Sequence, residues 1–201
     1  MKLRYCLLVL LALVLFIWGA ERQGRQVNVD MNSIDQDAYR DYAKNLALNG
    51  DQFTGDRNRM PVYPWILARF YRANMTDEAF FARGKQVNIG ITLLVLVAVF
   101  VLFRRYVPLL DAGAATLVAA FTMFVYKAPF FQAETLFYGL SFVLFVLIVE
   151  LIQQPRGWVA AAAGLVGALA QLTVCSVATL RIRSFTERWK TPTLNMPPPL
   201  K

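Results

Sequence analysis

The sequence predicts an all-α integral membrane protein with about five transmembrane helices and a large, partly helical first outer loop. Of its 201 residues, 57% are hydrophobic and only 17% are charged, and the mean hydropathy is +0.44. A soluble domain is about 45–50% apolar and about 25% charged. The apolar residues also fall into runs close to the length that crosses a bilayer. Together these observations exclude a water-soluble globular enzyme.

The first apolar run covers residues 5–20 and follows two basic residues, Lys2 and Arg4. Such a run is either a cleaved signal peptide or a retained signal-anchor helix. Cleavage after Ala20 would place Trp18 where the cleavage site needs a small side chain. We therefore predict a retained first transmembrane helix within residues 1–20.

Four further apolar runs predict transmembrane helices between residues 87 and 180. They cover residues 87–103, 109–126, 136–152 and 158–180. The basic residues set the expected orientation, because cytoplasmic loops carry an excess of Lys and Arg. With a cytoplasmic N-terminus, Arg104, Arg105 and Arg156 are also cytoplasmic, and residues 21–86 form an outer loop.

The basic residues behind the net charge of +8 lie where membrane topology places them, in short loops and at the ends of the chain. We therefore expect the lipid bilayer, and no nucleic acid, as a partner. Residues 181–201 form a predicted basic, Pro-rich tail with five Lys or Arg and one acid. The chain has no histidine, which excludes Ser/His and Cys/His catalysis. Cys6 and Cys175 lie in apolar stretches, which argues against a disulfide framework or a cysteine metal site.

The outer loop is rich in aromatic residues and is predicted to be ordered. Residues 33–36 (Ser-Ile-Asp-Gln) have the form of a capping box, which predicts a helix from there to about Leu48. Asn49-Gly50 is a typical helix end.

Two features predict helices later in the loop. Pro61 and Pro64 prevent a helix before Trp65 but can start one there. Residues 76–78 (Thr-Asp-Glu) begin a further helix that leads into the second span.

Asp35 and Asp37 are the first candidates for chemistry. On a helix, residues two apart point about 200° apart, so only one of these carboxylates would face a site. A carboxylate at a membrane surface can deprotonate an acceptor hydroxyl or bind a hard divalent cation. Acids in a first helical turn can equally serve only to stabilise the helix through its dipole.

The remaining candidates are Arg57, Arg59 and Glu134. Two guanidinium groups beside an aromatic, Pro-containing turn can hold a phosphate by bidentate hydrogen bonds, or they can pair with lipid headgroups. Glu134 opens the fourth span, and a carboxylate that enters a span is costly unless paired, which makes it a functional candidate. The alternative is a helix-terminal ion pair with Lys127.

Taken in order, these residues resemble the N-terminal part of a GT-C-type membrane glycosyltransferase. The closest group is the dolichyl-phosphate-mannose–protein mannosyltransferase-like and lipid A aminoarabinose-transferase-like superfamily. The resemblance rests on residues 35–39 with 42–43, 59–65, 80–83, 129–136 and 164–173, and it covers about residues 1–173.

The resemblance implies transfer of a hexose from a polyprenyl-phosphate-linked donor to an acceptor hydroxyl at the outer face. Asp35 matches the catalytic-base position, and Asp37 and Glu134 match supporting acids for the acceptor or a cation. Arg57 and Arg59 would meet the charge of the leaving phosphate. The implied cofactor is at most a divalent cation, Mg²⁺ or Mn²⁺. The implied location is the cell envelope, in a bacterial inner (plasma) membrane.

The resemblance ends near Thr173, where the composition of the chain changes abruptly. Members of the superfamily continue for many more spans. We therefore expect a truncated or frame-shifted product with a truncated GT-C fold, or else a natural short protein with a basic tail. The alternative function is a non-enzymatic multi-pass subunit or accessory protein of an assembly.

Overall fold

The computed structural model describes residues 2–50 and 60–173, and every regular element in these ranges is a helix. The helices are α1 (Lys2–Gln26), α2 (Ile34–Asn49), α3 (Val62–Ala68), α4 (Asp77–Tyr106), α5 (Leu109–Ala119), α6 (Val125–Lys127), α7 (Glu134–Gln153) and α8 (Gly157–Gln171). A π-helical turn, Ala120–Phe124, joins α5 to α6. The all-α prediction is thus confirmed for the described residues.

Four helices are long and apolar enough to cross a membrane. They cover Leu7–Gln26, Asp77–Tyr106, Leu109–Lys127 and Glu134–Gln153. Large apolar side chains on these helices stay exposed, for example Leu94 at 72% and Ile152 at 78%. An exposed apolar surface of this extent suits contact with lipid rather than water. This is the architecture of a multi-pass membrane protein.

The predicted fifth span, residues 158–180, is described only in part. α8 is apolar but has 15 residues, fewer than the roughly 20 that cross a bilayer. Residues 174–180 of that prediction, and the predicted tail at residues 181–201, lie outside the described residues.

The spans run antiparallel, so the bundle has two different ends. At the end that carries residues 27–50, 60–76 and 128–133, here called the loop end, Lys85 Nζ of α4 donates a 2.9 Å hydrogen bond to the Gly24 carbonyl of α1. At the opposite end, here called the hairpin end, α4 turns into α5 and α7 turns into α8. There Arg105 pairs with Glu150 at 3.3 Å.

The predicted start of α3 is wrong, and the predicted helix at residues 76–78 is continuous with the second span. α3 begins at Val62 and not at Trp65, with Pro61 as its N-cap and Pro64 in its first turn. The first backbone N–H groups of a helix have no acceptor within it, so the missing N–H of Pro64 costs no hydrogen bond. α4 runs without a break from Asp77 through the whole second span.

An aromatic core at the loop end holds the loop helices on the spans. Phe131 lies at its centre, with ring centroids 6.3 Å from Tyr63 of α3 and 6.0 and 5.4 Å from Phe80 and Phe81 of α4. Each such pair contributes about 0.5–1.5 kcal/mol beyond the burial of its surface. The core therefore fixes α3, the start of α4 and the turn at residues 128–133 relative to one another.

Candidate functional site

α2 carries the first two candidate residues, and it is attached to the aromatic core through α3. The rings of Tyr39 on α2 and Tyr63 on α3 meet edge to face, with centroids 5.1 Å apart. Both tyrosines and Ala43 are buried. This contact holds the N-terminal half of α2 at the loop end of the bundle.

The N-terminus of α2 differs in detail from the predicted capping box. Ser33 is the N-cap, but its hydroxyl makes no hydrogen bond with a backbone N–H of the helix. Instead, the Gln36 amide donates to Ser33 Oγ and to the Asp30 carbonyl, each at 2.8 Å. The predicted helix end is confirmed, because α2 stops at Asn49 and Gly50 takes a φ of 64°.

The two carboxylates of this turn lie in different surroundings. Asp35 is exposed in the first turn of α2, at the loop end. Asp37 is partly covered and forms an ion pair and hydrogen bond with the buried guanidinium of Arg40. Asp37 is therefore placed to hold Arg40, whereas Asp35 is presented to the surface.

Arg40 belongs to a charged network that sequence reasoning missed. Its side chain is only 7% exposed, and its Nε lies 3.5 Å from Asp41 and 4.0 Å from Asp77. Lys44 also donates to Asp77, at 2.6 Å. This hydrogen bond raises the pKa of Lys44 above its ordinary value. Because Asp77 begins α4, the network fastens α2 to the start of the second span.

The other predicted site residues divide into two groups. Arg57 and Arg59 lie outside the described residues, so their role as phosphate ligands stays a prediction. Glu134 is the first residue of α7, and its carboxylate accepts a 2.7 Å hydrogen bond from Lys127 Nζ at the loop end. Glu134 thus forms the helix-terminal ion pair with Lys127 that was the alternative prediction. A role toward an acceptor or cation stays a prediction.

Within the described parts of the chain, no group of three or more His, Cys, Asp or Glu side chains could hold a metal ion. The basic partners of Asp37 and Glu134 also occupy oxygen atoms that a cation would need. The residues present there do not fit the implied Mg²⁺ or Mn²⁺.

Comparison of the chain with protein-family models, curated proteins and solved structures found no match. The class that the fold defines is a multi-pass helical membrane protein with two shorter helices, α2 and α3, packed at one end of the spans.

Proposed function

We propose that this protein transfers a sugar from a polyprenyl-phosphate-linked donor to an acceptor hydroxyl at the loop end of the bundle. The observation that carries the proposal is the position of Asp35. It is an exposed carboxylate in the first turn of a helix that is packed onto membrane-spanning helices. A lipid-linked donor would present its sugar at such a boundary between bilayer and water.

The proposed orientation places the loop end outside the cell. Arg104, Arg105 and Arg156 lie at the hairpin end, which favours a cytoplasmic position for that end. The proposed location is a bacterial plasma membrane, with the N-terminus of α1 in the cytoplasm. Transfer then takes place on the outer side, where the donor must present its sugar.

In the proposed reaction, the Asp35 carboxylate takes the proton of the acceptor hydroxyl. The acceptor oxygen forms a bond to the anomeric carbon, and the bond between that carbon and the phosphate oxygen breaks. The polyprenyl phosphate leaves with the electron pair of the broken bond, and the configuration at the anomeric carbon is inverted. Asp37 acts as a positioning residue, because its pair with Arg40 holds the first turns of α2.

Arg57 and Arg59 remain the proposed ligands of the leaving phosphate, since guanidinium groups bind phosphate oxygens bidentately. No step of this reaction passes through a metal ion. A sugar phosphate ester of this kind can be cleaved without one if the developing charge meets guanidinium groups.

The experiment is reconstitution of the purified protein in liposomes with polyprenyl-phosphate-linked mannose, glucose or aminoarabinose and extracted envelope acceptors. The measured quantity is polyprenyl phosphate released per protein, with heat-unfolded protein as the control. Release that requires folded protein and one of the donors supports the proposal. No release from any donor would favour the alternative, a non-enzymatic subunit, over an enzyme.

A further inference from the structure

A groove of about 750 Å³ lies between α4 and α7, with part of α3 at its loop end. Twelve of its 14 lining residues are apolar, and the two polar ones, Arg83 and Gln86, lie together toward the loop end. Leu94, a residue of its wall, is 72% exposed, so the groove opens toward the bilayer. The groove shares no residue with the proposed sugar-transfer site.

Small residues create this groove. At Gly139 of α7 the two helices touch, because a Cβ there would lie 2.5 Å from Val95 on α4. At Gly90 of α4 a Cβ would meet no described atom within 4 Å outside its own helix backbone. The helices are therefore in contact at one level and leave open space beside it, where Gly90 lies.

The length of the groove matches one leaflet. Its lining residues on α4 run from Arg83 to Ala98. At 1.5 Å per residue these positions span about 22 Å. Half of a bilayer with its headgroups measures roughly 20–22 Å. An acyl chain of one leaflet fits this length, whereas a long polyprenyl chain would extend beyond Ala98.

A cationic side chain lies at the mouth of the groove. Arg83 is exposed, and it makes no ion pair or hydrogen bond with the described residues. Its neighbour Lys85 is engaged with the Gly24 carbonyl and lies over the Phe81 ring. A guanidinium at the level of the headgroups binds a phosphate diester by charge-assisted hydrogen bonds.

We propose that the groove binds one anionic phospholipid of the leaflet at the loop end. One acyl chain lies between α4 and α7, and the phosphate lies on Arg83. The lipid holds the two helices together at the level where Gly90 leaves them apart. This site goes beyond sugar transfer and does not depend on it.

The test uses the full chain in nanodiscs that contain phosphatidylglycerol and phosphatidylcholine, followed by native mass spectrometry of the lipid that stays bound. We expect one retained phosphatidylglycerol per chain. Gly90→Leu places a side chain in the groove and should lower retention about tenfold. Gly164→Leu on α8 is the matched control, because a Cβ there also meets no described atom within 4 Å, and it should retain the lipid.

Arg83→Gln is a second variant at an exposed position, where folding is not at risk. It should lower the preference for phosphatidylglycerol over phosphatidylcholine roughly tenfold. This is the change in affinity expected when one charge-assisted hydrogen bond is lost. Equal retention of the two lipids by the unaltered protein, or full retention by Gly90→Leu, would overturn the proposal. Displacement of phosphatidylglycerol by an equimolar long-chain polyprenyl phosphate would also overturn it, because that lipid would then be the preferred occupant.

Discussion

The ring of Phe131 lies against the backbone of α4 at Gly84, so closely that a Cβ atom at position 84 would overlap the ring. The same ring contacts Tyr63, and Tyr63 contacts Tyr39. A continuous series of contacts thus joins the second span to the helix that carries Asp35. The close approach at Gly84 is therefore one of the contacts that set the position of the proposed site.

Replacing Gly84 by alanine should therefore destabilise the loop end. We expect Gly84→Ala to lower the free energy of unfolding by about 1–3 kcal/mol, the usual cost of an added methyl in a packed core. Chemical unfolding in detergent, followed by tryptophan fluorescence, measures the change. Gly90→Ala is the control on the same helix, and it should keep or raise stability because alanine favours a helix by about 1 kcal/mol. Equal stability of the two variants would contradict the observed contact.

Asn88 provides a polar link between α4 and the turn at residues 128–133. Its side-chain amide donates to the carbonyls of Phe130 and Gln132, the second at 3.0 Å. Asn88→Ala should lower the free energy of unfolding by at least about 1 kcal/mol, since two partly buried carbonyls lose their donor and each such unpaired group costs up to about 1–3 kcal/mol. Gln86→Ala, at an exposed position of α4, should change it by less than about 0.5 kcal/mol. A similar, small change in both variants would show that the link is dispensable.

The ion pair between Lys127 and Glu134 should contribute little to stability. Their side chains are 38% and 42% exposed. An ion pair with this exposure contributes less than about 1 kcal/mol to the free energy of unfolding, and salt weakens it further. A double-mutant cycle with Lys127→Met and Glu134→Gln measures the coupling at low and high salt. Coupling above about 2 kcal/mol that persists at high salt would refute this expectation.

The attachment of α2 should weaken at alkaline pH. The hydrogen bond to Asp77 raises the pKa of Lys44 above its ordinary 10.5. A group with a raised pKa in the folded state contributes its full stabilisation below its unfolded value and loses it as the pH rises through the folded value. Unfolding of the loop end should thus become easier above about pH 10.5 in the unaltered protein. The stability of Lys44→Met should not fall in this way above about pH 10.5. If its stability falls with pH as that of the unaltered protein does, groups other than Lys44 cause the loss.

The sequence predicted the long spans and the end of α2 because these features depend on local properties. Four of the predicted spans correspond to helices that could cross a membrane, since hydropathy averaged over about 20 residues reports on that directly. The end of α2 was also predictable, because Gly50 adopts the positive φ that glycine favours. The start of α3 was not, since two prolines fit equally at the beginning of a helix or before it.

The contacts that position the candidate site could not be predicted from the sequence. Lys44 and Asp77 are 33 residues apart, and Asn88 and Gln132 are 44 apart. Such contacts depend on how the spans pack, and no local pattern encodes their partners. The exposure of Asp35 and the burial of Arg40 on the same helix likewise result from the packing of α2 on α3.

The most direct test of the proposed function compares two carboxylates at the loop end. Asp35 is the proposed base, and Glu78 is an exposed acid in the first turn of α4. The rate of polyprenyl phosphate release in proteoliposomes is measured for Asp35→Asn and Glu78→Gln. We expect Asp35→Asn to lower the rate about 10²–10⁴-fold, as loss of a general base does, and Glu78→Gln to leave it within a few-fold of the unaltered protein. A rate for Asp35→Asn equal to that of the unaltered protein would contradict the assignment of the base.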